Sequence, residues 1–284
     1  DGSAQTISYF SRESNLPLTL GLLVDTSGSQ RRLIDEERAA SYKFFEQVLR
    51  EDKDAAFVIH FDFEVELLQD ITRSRKLLEQ ALEDLQTPQP QRRQPGRGYP
   101  GGGNPRPGGT DLYDAVMLSG DELMRKQTGR KALVLLTDGV DTGSKVPLST
   151  AIESAQRADT AVYSVLFEDP EAYGGPGGGG VLFPGMGRGR RGGMGPPFPG
   201  GGMNHADGKG VLEQISRETG GRMFQVSRNR PLAEIYREIE EDLRNQYSLG
   251  YTPPPSTGSR YRHIHLATRQ KGLLVQTREG YYPS

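Results

Sequence analysis

The chain has 284 residues and a formal net charge of -2, which gives no reason to expect nucleic acid or an anionic membrane as its general partner. It contains no Cys, so disulfides, thiolate metal sites and cysteine nucleophiles are excluded, while the compartment stays open. Hydrophobic residues make up only 34%, but the deficit is concentrated in two Gly/Pro-rich tracts, and the rest has the composition of a globular protein long enough to bury a large core. No apolar stretch approaches the roughly 20 residues that span a bilayer, and the opening Asp1-Gly2-Ser3, without Met, reads as a processed product and not as a signal peptide.

In chain order, residues 1–16 form an extension in which Gln5 to Arg12 alternates weakly, as an edge strand does. Leu18 to Val24 is a continuous apolar run, the pattern of a strand buried on both faces, and it stops at Asp25-Thr26-Ser27-Gly28-Ser29. A helix follows from about Arg31 to Arg50, with Ala40, Phe44, Phe45 and Val48 at helical spacing. Ala55 to Phe61 is a second buried strand with Val65 to Leu68 as its hairpin partner, and Leu77, Leu78, Ala81, Leu82 and Leu85 mark a second helix. Residues 88–109 are a Pro/Gly/Gln/Arg-rich insertion that ends at Thr110-Asp111, just before a helix with Leu112, Ala115, Val116 and Leu123 on one face.

Lys131 to Leu136 repeats the opening design, a buried strand ending in Thr137-Asp138-Gly139. Helix Leu148 to Ala158 and strand Ala161 to Phe167 come next, then a second low-complexity insertion over 173–208 that carries Arg188, Arg190 and Arg191. Order resumes with helix Val211 to Thr219, strand Arg222 to Val226 and helix Pro231 to Asn245, with Pro231 in the first turn, where proline is tolerated. In 247–284, Gln246 to Tyr251 is strand-like, and Tyr261 to Thr268 with Leu273 to Arg278 read as a hairpin turning at Gln270 to Gly272.

Alternating strands and helices predict an α/β fold, a doubly wound and mostly parallel Rossmann-like sheet over 17–246 with helices on both faces, followed by a small antiparallel appendage. Ligands of such sheets bind at the carboxyl ends of the strands, which is where Asp25, Ser27, Ser29, Thr110 and Asp138 fall. Taken singly, Asp-x-Ser-x-Ser and Thr110 read as helix caps and Asp138-Gly139 as a turn. Together they form a set of two carboxylates and three hydroxyls, all oxygen, suited to a hard divalent cation such as Mg²⁺, with Mn²⁺ or Ca²⁺ as alternatives. Asp111 and Asp141 stand beside the set as candidate acceptors that would orient its ligands.

Asp25-Thr26-Ser27-Gly28-Ser29, Gly109-Thr110-Asp111 and Leu136-Thr137-Asp138-Gly139 resemble the three-part metal-ion-dependent adhesion site (MIDAS) of von Willebrand factor A domains, over roughly Pro17 to Asn245. The resemblance implies that the serines and the threonine contact the metal, that the acids act directly or through waters, and that the remaining position takes a carboxylate from a protein partner. Tyr247-Ser248-Leu249-Gly250-Tyr251 with Arg278-Glu279-Gly280-Tyr281-Tyr282 further resembles an acidobacterial subgroup of these domains, whose members are expected to be exported. The expected function is a non-enzymatic, metal-dependent, adhesion-type binding module. The alternative is a scaffolding domain whose metal only stabilises the fold while the loops or the terminal hairpin make the contacts.

Other motifs carry less. Asp141-Thr142-Gly143-Ser144 spells an aspartic-protease signature, with Asp25-Thr26-Ser27-Gly28 as a near copy, but that chemistry needs two carboxylates sharing a proton on an all-β scaffold, and the intervening chain is helical. A phosphotransferase using Asp25 as nucleophile lacks a second acid at position 27 and a phosphate-cradling lysine loop. His60, at a strand end, reads as a packed or edge histidine, and His205, His263 and His265 show no zinc spacing with other ligands.

Overall fold

The computed structural model describes residues 2–12, 15–28, 30, 33–86, 109–167, 207–253 and 261–283. Residues 88–108 of the first insertion, 173–206 of the second and the expected ligand Ser29 lie outside the described residues, as do His205, Arg188, Arg190 and Arg191. In chain order the described elements are β1 (Tyr9–Arg12), β2 (Leu18–Asp25), α1 (Ile34–Val48), β3 (Ala55–Phe61), β4 (Val65–Thr72), α2 (Arg75–Glu83), α3 (Leu112–Leu118), β5 (Arg130–Thr137), α4 (Leu148–Arg157) and β6 (Ala161–Leu166). They continue with α5 (Gly208–Thr219), β7 (Met223–Gln225), α6 (Leu232–Arg244), β8 (Tyr247–Gly250), β9 (Arg262–His263) and β10 (Gly280–Tyr281).

Six strands form one sheet in the order β4-β3-β2-β5-β6-β7. Every neighbouring pair is parallel except the β3–β4 hairpin, so the expected α/β architecture is the one observed. Every residue of β2 is buried, as its unbroken apolar run requires for a strand covered on both faces. Alternate side chains feed two cores. Leu20, Leu22 and Val24 pack with Phe44 and Phe45 of α1, Leu78 and Leu82 of α2, and Ile235 and Ile239 of α6. On the other face Leu23, Leu133 and Leu135 pack with Leu112 and Val116 of α3, Ile152 of α4 and Leu212 of α5. Burying each such side chain is favourable by about 1.5–3 kcal/mol. Between Phe57 and Leu133 the central strand carries Gly21, where an added Cβ would come within 2.3 Å of the phenyl ring and 2.5 Å of the leucine methyl.

The start of β2 is pinned by Asp54, fully buried, whose carboxylate accepts from the Leu18 backbone N–H and the Arg50 guanidinium at 2.9 Å each. Several elements differ from expectation for local reasons. After α3 the backbone widens into a π turn (Ser119–Leu123) and then tightens into a 3₁₀ turn (Met124–Lys126). The residue taken up by the π turn shifts the helical face, so Met124 is fully buried and Leu123 only partly. Helix α5 starts three residues before the expected Val211, because the Asp207 carboxylate caps it by accepting from the Gly210 N–H at 2.9 Å. Strand β4 reaches Thr72, four residues past the expected end, along the length of β3.

Outside the main sheet, β1 pairs antiparallel with β8, and β9 pairs with β10. The tail is therefore antiparallel, but the pairing differs from the expected 261–268 with 273–278. Leu273, Leu274 and Val275 are exposed, Leu274 entirely, so a strand there would have no core to face. The partners instead lie beside two anchoring aromatics: Tyr261, whose hydroxyl accepts from Gln156 of α4 at 3.1 Å, and Tyr282, whose ring lies 4.0 Å from the Arg157 guanidinium.

Candidate metal centre

Parallel pairing of β2 with β5, register Val24 opposite Leu136, places the ends of the two strands side by side and brings the Asp25 and Asp138 loops together. Asp25 is fully buried. One carboxylate oxygen accepts from the Ser27 backbone N–H at 2.9 Å and the other from the Thr137 hydroxyl at 2.6 Å. The Thr137 hydroxyl oxygen also accepts from the Gly139 N–H at 3.1 Å, so one side chain holds both the acid of β2 and the turn after β5. Gly139 takes φ +78°, and a Cβ there would meet the Gly208 carbonyl oxygen at 2.3 Å, so that turn sits directly on the start of α5. Asp138 is buried and accepts from the Val140 N–H at 3.0 Å.

The third loop is joined to the other two by backbone bonds. The Thr110 carbonyl accepts from Thr142 and Gly143 N–H at 3.1 and 3.2 Å, and the Thr110 N–H donates to the Thr142 hydroxyl at 3.1 Å. Asp111 donates its N–H to the Asp62 carbonyl at 2.7 Å, while Thr26, beside Asp25, donates its N–H to Phe61 at 2.9 Å. The turn between β3 and β4 thus ties the loop before α3 to the loop after β2. Asp141 accepts from the Ser144 hydroxyl at 2.5 Å and from the Tyr113 N–H at 3.4 Å. Asp25, Thr110, Asp111 and Asp138 are buried and Ser27 is partly so, all at the carboxyl edge of the sheet.

The electrostatics of this edge are unfavourable for acids alone. Burial pushes the Asp25 carboxyl up to about 7 against the pull of hydrogen bonds from Ser27 and Thr137, and the charge of Asp138 adds to the rise. Burial likewise raises Asp111, with Asp114 and Asp141 adding to it, and burial raises Asp141. Among the described residues no three His, Asp or Glu side chains form a group that could hold a metal by themselves. The donors here are instead two acids and hydroxyls. Hard oxygen donors around a carboxylate that is costly to ionise alone fit a divalent cation, whose charge would remove that cost.

Two participants, Thr137 and Asp62, were not singled out from the sequence, nor was the buried acid Glu37 of α1. Thr137 and Asp62 sit inside motifs whose neighbouring residues attracted the attention. Glu37 is fully buried on α1. Its signal was the apolar stripe at 44, 45 and 48, which at helical spacing extends back through 41 to 37. A separate array, Thr26 hydroxyl to His60 Nδ1 at 3.1 Å and His60 Nε2 to Glu66 at 3.0 Å, has the composition of a nucleophile, base and acid. Thr26 is fully buried, and that hydroxyl is closed to a substrate.

No family model matches the chain, and no curated protein is similar to it in sequence. Solved structures are similar in fold. The proximal thread matrix protein 1 of the mussel byssus superposes with TM-score 0.55 at 12% identity over 86% of this chain, which spans about half (49%) of that chain. Another structure of the same protein, described as having a zinc-occupied MIDAS motif, gives TM-score 0.53. An aerotolerance-related membrane protein of Bacteroides fragilis gives TM-score 0.51 at 15% identity, covering 80% of this chain and 98% of that one. A von Willebrand factor type A structure from Catenulispora acidiphila gives TM-score 0.50 at 14% identity, covering 84% and 50%. The six-stranded order, the single antiparallel edge strand and these superpositions agree that the chain has the von Willebrand factor A fold.

Proposed function

We propose that this chain is a non-enzymatic protein-binding module whose contact depends on a divalent cation held by Asp25, Ser27, Ser29, Thr110 and Asp138. The observation that carries the reading is the Asp25 carboxylate, buried at a strand end, gripped at both oxygens and facing the charge of a second acid. A cation of the Mg²⁺ type turns this costly pair of acids into a favourable one. The five donors leave one position of an octahedral shell open, which a carboxylate of the partner protein would take. The zinc reported at the MIDAS of the byssus protein supports a divalent metal on this fold. An exported location goes with the same reading, by the resemblance of the tail motifs.

The metal is tested by soaking crystals with Mn²⁺. An anomalous peak between the Asp25, Thr110 and Asp138 loops is expected, and its absence removes the metal from the reading. The adhesion step is tested by partner capture in Mg²⁺ and in EDTA, beside Asp25→Ala. Binding that survives both transfers the function to the scaffolding alternative. That alternative has an observation of its own: on the β1–β8 ribbon Phe10 and Tyr247 stack at 5.3 Å while 64% and 56% exposed.

A further inference from the structure

Glu37 lies in the first turns of α1, just after the loop that follows Asp25, and its side chain faces the core. Both carboxylate oxygens are buried without a hydrogen-bond partner. Ser41, one turn along, is bonded to the Tyr236 hydroxyl at 2.7 Å. An acid in this state is costly in any fold that does not use it. The charge of Asp25 bears on Glu37 more strongly than that of Glu36, its neighbour in sequence, so the buried carboxylate is coupled to the acid at the strand end.

Asp25, Asp138 and Glu37 do not form a group that could together ligate an ion directly. A cation such as Mg²⁺ keeps several waters in its shell, and each metal-bound water is a strong donor in need of acceptors. Two buried carboxylate oxygens without partners, in the first turn after the Asp25 loop and within electrostatic reach of Asp25, match that need. We propose that Glu37 is a positioning residue of the metal centre, its carboxylate accepting from water on the cation, so that the site carries a third acid which the Asp-x-Ser-x-Ser, Thr and Asp motifs do not contain. The inference rests on the metal reading of the site. It assigns to α1 a part in metal affinity that no loop residue shares.

The test is Mn²⁺ titration by calorimetry of the full chain, its E37Q variant and its Glu37→Leu variant, with melting of each in EDTA. Both variants are expected to bind Mn²⁺ about tenfold or more weakly. In EDTA both are expected to melt at or above the temperature of the parent chain, because a buried acid without partners has been removed. These opposite signs separate the proposal from simple packing, for which affinity and metal-free melting temperature would fall together. Parent-like Mn²⁺ affinity in either variant, or a parallel fall of both quantities, overturns the role of Glu37. A parent chain that binds no Mn²⁺ overturns the metal reading itself, so the two failures are distinguishable.

Discussion

Thr137 is the smallest unit in which the design of the site can be seen. Its hydroxyl donates to Asp25 at 2.6 Å and accepts from Gly139 at 3.1 Å, so it fixes the rotamer of an acid and the path of the next turn together. Thr137→Val keeps the shape and removes both bonds, leaving a carboxylate oxygen and a backbone N–H unsatisfied in a buried place. The expected cost is about 1–3 kcal/mol in chemical denaturation, with Mn²⁺ affinity about tenfold weaker by calorimetry. A variant with parent-like affinity would show that Asp25 needs no orienting donor. The residue was legible as part of the Thr-Asp-Gly motif, but its partner was not, because a bond between residues 112 apart exists only once β2 and β5 lie side by side.

The elements explain where reading the sequence succeeded. The buried strands β2 and β5 are unbroken apolar runs, and α1 and α6 carry stripes, so period and burial agree and the α/β class follows. The tail failed because Leu273 to Val275 has the apolar look of a strand while no core stands opposite to receive it. Leu123 packs on the same core as Leu112, Ala115 and Val116, but the fully buried Met124 was missed because a π turn has no compositional mark that local spacing can show. Glu37 was passed over because an acid on an apolar stripe reads as an exception and not as a member. At this scale the turn after β5 is tightly constrained. Gly139→Ala must place a Cβ at positive φ and against the Gly208 carbonyl, so the turn and the start of α5 have to separate. A loss of about 1–3 kcal/mol is expected, with a fall in Mn²⁺ affinity larger than that of a neutral surface substitution such as Lys126→Ala.

For the whole molecule, the acids make stability depend on pH in two opposite ways. Asp25 is raised from 3.8 to about 7 in the metal-free fold, so this group contributes a penalty that grows as pH rises through that window and is absent below it. Asp54, despite the desolvation of its burial, is held below its ordinary value by Arg50, and its contribution is lost only as pH falls through that lower value. The two windows do not coincide. If a cation neutralises Asp25, the rise in melting temperature between EDTA and millimolar Mg²⁺ is expected to be small at pH 5 and larger at pH 7.5. A rise that is the same at both values would mean that Asp25 is not the group the metal relieves. The β1–β8 ribbon bears on a different property, the order in which the chain can be assembled. Its contacts join residues up to 242 positions apart, as from Ser8 to Gly250, so β1 has no partner until the chain has been made past α6. Loop closure over that span comes late, and until then Phe10 waits uncovered for Tyr247. The ribbon is thus a seal that forms only on a finished domain, and a nascent or truncated chain is marked by its open edge.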